Sequence, residues 1–234
     1  MREENLKILI TCEHGGNIIP EEYSTTFSGG KEELESHRGY DIGALELFQN
    51  FESNIGDFTH FSQTSRLLVE LNRSLHHPKL YSEFTQHIAP DVKEKILQEH
   101  YFPYRNQVET KIGEWVRDGL KVLHLSVHSF TPVMSGKLRN TDIGLLYDPS
   151  RAREQLFAAH WRQQLHKSAP QFKVRYNYPY KGTADGFVTH LRKEFNDEQY
   201  AGLELEVNQK FPEQKHEKWE QLKNVLVSSF RQAL

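Results

Sequence analysis

Apolar positions along the chain recur with two periods. Leu6 to Thr11 and Lys121 to Val127 (KVLHLSV) are short, nearly unbroken apolar runs, which predict strands buried on both faces. Asp57 to Phe61, Leu67 to Leu71, Asp142 to Tyr147, Phe172 to Tyr176 and Gly202 to Val207 predict further strands. Helical spacing begins at Asp41, where Ile42, Leu45, Phe48 and Phe51 recur with polar residues between them. Asp91 reads as the cap of a long helix that is interrupted at Pro103, resumes through Trp115 and ends at Gly119. Ser150 reads as the cap of a helix to about Lys167. Thr189 to Glu194 reads as a short helix, and Glu213 to the end as an amphipathic one. Strands and helices thus alternate. That order predicts an α/β fold with a helix-covered, largely parallel sheet, whose ligand crevice lies beyond the carboxyl ends of its strands.

Composition narrows the function. At 234 residues, with 37% hydrophobic and 26% charged side chains, the chain is expected to form one globular domain spanning 1–234. A formal charge of -3 provides no broad cationic surface, so nucleic-acid and membrane partners are not expected. Cys12 is the only cysteine, which rules out an internal disulfide and a multi-thiolate metal site. The opening MREENLKILITC has too short an apolar run for a signal segment, so the expected setting is cytoplasmic. Most of the 13 histidines, such as His100, His160 and His216, occupy exposed-looking helical positions and carry no chemistry by number alone.

His14 and His128 stand apart because each follows the carboxyl end of an apolar strand. A parallel sheet would bring both to one rim, where two imidazoles beside a carboxylate suit a zinc ion with its fourth position open to water. Each histidine alone also reads as an ordinary turn residue. In GLELEVN, Glu204 and Glu206 alternate with Leu203, Leu205 and Val207, so both acids share one strand face. That face is either a solvated outer surface or the place of a general base, for which Glu206 is the better candidate. The segment Ser65 to Ser74 (SRLLVELNRS) sets Arg66 and Arg73 at either end of an apolar run. Asn72 with Arg73 could anchor a substrate carboxylate, and Arg66 could face an oxyanion, or both arginines could form surface ion pairs.

The blocks CEHGGNIIP, HRGYDIGA, SRLLVELNRS, LSVHSFTP, DIGLLYD, PYKGTADG and LELEVN, in that order, resemble the N-formylglutamate amidohydrolases, a family related to zinc carboxypeptidases. The resemblance spans most of the chain. It implies a three-layer α/β/α fold around a mixed, largely parallel sheet (zinc carboxypeptidase or phosphorylase/hydrolase-like). It further implies one catalytic zinc and hydrolysis of a small N-acyl amino acid, with N-formyl-L-glutamate first. HLSVHSF looks like the carboxypeptidase segment that supplies the second zinc histidine, and LEVN like the one that supplies the general-base glutamate.

Two positions depart from the pattern. Carboxypeptidases place a glutamate ligand three residues after the first histidine, where this chain has Asn17; Asp41 is the expected replacement, with Glu13 as the fallback and a plain helix-start residue as the competing reading of Asp41. The family commonly shows an arginine two residues after the base, where this chain has Asn208. Lys181, Thr183 and Asp185 either line the pocket or simply shape the loop around Gly182 and Gly186. The expected site is therefore zinc on His14, Asp41 and His128, Glu206 and Arg66 as catalytic groups, and Asn72 and Arg73 on the substrate. A carboxypeptidase or peptidoglycan-type amidase is the alternative reading, and a non-catalytic metal-binding or regulatory protein is the alternative from another class.

Overall fold

Strand-forming runs far apart in the sequence lie side by side in the structure, a computed structural model that describes residues 3–214 and 217–234. In chain order the elements are β1 (Leu6–Cys12), α1 (Lys31–Glu35), α2 (Ala44–Glu52), β2 (Phe58–Phe61), α3 (Pro90–Ile96), α4 (Phe102–Arg117), β3 (Lys121–Phe130) and the small hairpin β4 (Val133–Met134) and β5 (Lys137–Leu138). Then follow β6 (Ile143–Leu146), α5 (Ala152–Ser168), β7 (Val174–Tyr176), α6 (Phe187–Glu194), β8 (Tyr200–Asn208), α7 (Lys210–Gln214) and α8 (Glu217–Ala233). Six strands form one sheet in the order β2-β1-β3-β8-β6-β7. Every neighbouring pair is parallel except β6 and β8. This is the expected mixed, largely parallel sheet.

Each face of the sheet has its own core. Leu123, Leu125 and Val127 of β3, with Leu203, Leu205 and Val207 of β8, pack with Phe48 of α2, Trp161 of α5 and Phe230 of α8. On the other face Leu9, Val122 and Tyr200 pack with Ile96 of α3, Val108 and Ile112 of α4 and Leu191 of α6. Side chains alternate along a strand, so Thr11, His124, Ser126, His128, Glu204 and Glu206 share that second face. A polar stripe therefore runs along an otherwise apolar surface.

One part of that stripe is structural. His124 is fully buried, with its ring nitrogens 2.7 Å from the Tyr200 hydroxyl and 2.8 Å from that of Thr11. Burial, with Glu13 opposing it in part, pushes the His124 pKa down to about 4. The unfolded chain then binds one more proton than the native chain between about pH 6.5 and 4, so this contribution to stability is lost as pH falls through that window. His124→Gln is expected to flatten the pH dependence of the denaturation midpoint there. An unchanged slope would remove His124 from that account.

Several expected boundaries move. Leu67 to Leu71 is not a strand but a buried turn and irregular segment. Its backbone is bonded individually: Glu70 N–H to Leu80, Leu68 N–H to Ser65, and the Leu67 and Leu68 carbonyls to the Ser82 and Thr85 hydroxyls. An apolar run signals burial, and side-chain donors let a buried segment do without a ladder. Helix α2 starts at Ala44, after Gly43 at φ 82°, which leaves Asp41 in the preceding turn. Ala89 and Arg151, not Asp91 and Ser150, hold the cap positions of α3 and α5. The expected break at Pro103 is absorbed by a π-helical turn at Leu97–Tyr101, with Phe102 N–H bonded to the Leu97 carbonyl. β3 continues past His128 because β8 keeps pairing as far as Asn208. His160 is exposed and His100 only half-buried, while His216 lies outside the described residues. Among the described residues, no helix is long and apolar enough to cross a membrane.

Candidate metal centre and active site

The turn that follows β1 carries Glu13 and His14 to the rim of the sheet, and the adjacent β3 carries His128 to the same rim. Asp41 reaches the rim from the turn before α2, its N–H bonded to the His14 carbonyl at 3.0 Å. Asp41 Oδ2 lies 2.9 Å from His128 Nδ1 and 3.3 Å from His14 Nδ1. These three atoms form a buried group that could hold a metal ion. A tetrahedral zinc site with bonds of about 2.0–2.1 Å has edges of roughly 3.3 Å, so the spacing fits the ion. Glu13, the fallback ligand, faces the other side of His128 and is not in this group. Asn17 is turned away, its amide donating to the Leu34 carbonyl.

Both imidazoles are held from behind. His14 Nε2 donates to Glu70 Oε1. His128 Nε2 lies 2.8 Å from Ser126 Oγ and 3.2 Å from Glu13 Oε2, and the Ser126 hydroxyl donates onward to Glu13 at 2.6 Å. A carboxylate only accepts, so these contacts keep a proton on Nε2 and turn Nδ1 toward Asp41, where a metal can take the place of the Nδ1 proton. Arg66 fixes the acids in turn, donating from Nη1 to Asp41 Oδ1 at 3.0 Å and from Nε to Glu70 Oε2 at 2.9 Å.

Charge favours a cation. Burial alone would raise the Glu13 carboxyl, but His128 and Ser126 hold it well below the usual range. Burial is likewise outweighed at Asp41 by the two histidines and Arg66, and at Glu70 by Arg66 and His14. Burial would also lower His128, yet Asp41 and Glu13 keep its imidazole charged well above its ordinary pKa. Three buried carboxylates, each no more than 5% exposed, thus crowd around the Arg66 guanidinium and the two imidazoles. A divalent cation bound among them would take the place of a proton and offset the charge of the carboxylates.

Glu206 lies opposite His128 in the pairing of β8 with β3. It is 5% exposed, and its Oε2 has no hydrogen-bond partner among the described residues. Burial raises its carboxyl to about 8, with His128 opposing in part. It lines a cleft of about 750 Å³ together with His14, Asp41, Arg66, Glu70 and His128.

The remaining expected residues are brought near the cleft to different degrees. Asn72 and Arg73 line it, but Asn72 Oδ1 accepts the Phe187 N–H at the start of α6, and the Arg73 guanidinium donates to the Asp185 carbonyl. Lys181 and Asp185 line it, whereas Thr183 is exposed outside it. Asn208 is fully buried and spends its amide on the Arg139 and Thr141 carbonyls, so it cannot hold a substrate carboxylate. Sequence reasoning passed over Glu70; an acid inside LLVEL, four residues after Arg66, was the available signal.

No curated protein matches the chain at a significant level. Among solved structures, gene product Atu2144 from Agrobacterium tumefaciens superposes with a TM-score of 0.77 at 23% identity, over 96% of this chain and 90% of that one. N-formylglutamate amidohydrolase from Ralstonia eutropha JMP134 superposes with a TM-score of 0.69 at 18% identity, over 99% and 94%. Such identities establish a shared fold. The sequence pattern goes further: the profile of the N-formylglutamate amidohydrolases matches residues 6–211, which include every residue of the site described above, and the chain belongs to that family.

Proposed function

We propose that this chain is a zinc-dependent hydrolase that cleaves the amide of an N-acyl amino acid, with N-formyl-L-glutamate the first substrate to test. The observation that supports it most is the group His14, Asp41 and His128, set at zinc-like spacing with the unpartnered Glu206 carboxyl across from His128. Zinc held there would polarise the acyl oxygen and make a water acidic enough to attack at neutral pH. Glu206 takes the proton of that water on its carboxylate and returns it to the departing nitrogen. Burial, which raises this carboxyl, helps it keep the proton between the two transfers. Arg66 keeps Asp41 and Glu70 in place and has donors left for the oxyanion that develops in the cleft. Asn72 and Arg73 hold the substrate carboxylate.

The cleft volume favours a second reading, a carboxypeptidase or peptidoglycan-type amidase, since about 750 Å³ exceeds what a formyl amino acid fills. The test is a panel offered to metal-replete protein: formyl, acetyl and succinyl derivatives of glutamate, aspartate, histidine and glutamine, with short peptides. Release of free amino acid from the N-acyl compounds is expected. Release confined to peptides would establish the second reading, and no release from any compound would point to the non-catalytic one.

A further inference from the structure

Arg105 and Arg192 are the two buried arginines among the described residues, and their surroundings differ. Arg192 has a counter-ion, Glu154, at 2.9 Å. Arg105 of α4 hydrogen-bonds only to neutral oxygens: its Nη1 donates to the Leu71 carbonyl at 3.0 Å and to the Arg73 carbonyl at 3.4 Å. Glu13, Glu109 and Asp185 act on it only from beyond ion-pair distance. Each of these acids is held elsewhere, Glu13 by Ser126 and Tyr104, Glu109 by His190 and Asp185 by the Ser74 N–H. A guanidinium stays charged at any working pH, and keeping it buried without a counter-ion costs free energy.

The neighbours of Arg105 hold the same stretch of backbone. Its guanidinium carbon lies 4.9 Å from the centre of the Tyr101 ring and 4.3 Å from that of Phe187. Tyr101 donates its hydroxyl to the Arg73 carbonyl at 2.7 Å, and the Phe187 N–H is bonded to Asn72 Oδ1 at 2.6 Å. Tyr101 closes the π-helical turn and stands four residues before Arg105, which sets both donors on one side of the helix.

We propose that Arg105 is a positioning residue for the α-carboxylate of the substrate. By gripping the carbonyls that precede and follow the Asn72–Arg73 pair, it fixes that pair at the wall of the cleft, and its unpaired charge supports the anion that docks there. The inference rests on the reading of this cleft as an N-acyl amino acid site. Arg105 is not part of the cleft wall, so it acts through Asn72 and Arg73. Donors fixed before the substrate arrives lower the ordering cost of binding. A carboxylate gains from the fixed donors and from the charge behind them, whereas a carboxamide in its place gains little from the charge.

Zinc-replete wild type, Arg105→Lys, Arg105→Met and Tyr101→Phe are compared on N-formylglutamate and on its α-carboxamide, N-formylisoglutamine, with the zinc content of each protein measured. Wild type is expected to prefer the α-carboxylate by about tenfold or more in kcat/KM. Arg105→Met should cut that preference by about fivefold or more through KM, with one zinc per chain and kcat within about threefold of wild type. Arg105→Lys keeps the charge without the fork and should retain an intermediate preference. Tyr101→Phe should shift it the same way by about twofold. Calorimetric binding of glutamate and isoglutamine to the same proteins gives the comparison without turnover. A merely structural role would lower kcat, lose zinc or weaken both compounds alike. If Arg105→Met fails to fold, Arg105→Lys and Tyr101→Phe carry the test. A preference unmoved in the variants, an equal loss on both compounds, or a wild type that favours the α-carboxylate in neither turnover nor binding overturns the role of Arg105. If no N-acyl compound is cleaved but the binding preference for glutamate falls as expected, the hydrolase reading fails and the role of Arg105 stands.

Discussion

Glu206→Gln is expected to lower turnover on the order of a thousandfold while zinc stays bound at one ion per chain. The substitution keeps the size of the side chain and removes only its ability to carry a proton between water and the leaving nitrogen, a loss of about 10²–10⁴ for general acid–base groups. Glu206 is not in the group of potential ligands, so elemental analysis should find the metal retained. The thermal midpoint should not fall, because the native carboxyl is buried with Oε2 unpartnered, and an amide is cheaper to keep there than an ionisable group. Near-wild-type turnover by the variant would exclude this role.

Asp41→Asn should act on the metal itself. Asp41 is the one anion in the ligand group, and its second oxygen is what Arg66 Nη1 holds. An amide in its place keeps the shape but gives up the charge that offsets a divalent cation, so zinc affinity should drop at least a hundredfold. Activity at micromolar zinc should fall with it. Competition against a chromogenic chelator measures the first and titration of activity with added zinc the second. Affinity in the wild type should also weaken as pH falls, since a proton competes for Nδ1 of His128. Stoichiometric zinc in Asp41→Asn at chelator concentrations that leave the wild type loaded would remove Asp41 from the ligand set.

The centre of the sheet is readable in the sequence because β1, β3 and β6 are nearly continuous apolar runs, and its largely parallel order follows from the helices between them. What placed His14 and His128 together was strand-end position, a topological property that survives small errors in boundaries. Asp41 is expected to open a helix and instead precedes it, in a turn whose backbone N–H bonds to the His14 carbonyl. Glu70 was hidden for a different reason. The LLVEL run carries the same apolar signal whether its backbone bonds come from a neighbouring strand or from Leu80, Ser82 and Thr85, and only the first alternative has a sequence period. Glu13 is offered by the sequence only as a fallback ligand and Ser126 not at all, because a contact between residues 113 apart depends on strand register and not on spacing.

The irregular buried segment from Ser65 to Leu71 affects the order in which the molecule assembles. Apart from the local bond of Leu68 N–H to Ser65, its backbone is tied to Ile18, Gly39, residues 80–85 and Arg105 of α4, which donates to the Leu71 carbonyl, so the loop sets only after those elements have docked. The Glu70 amide, bonded to Leu80 outside any ladder, should then exchange with solvent deuterium about as slowly as amides of the central strands. A refolding chain would protect β1, β3 and β8 first and gain zinc affinity later. Competence for metal would in that case report completion of folding rather than collapse of the core.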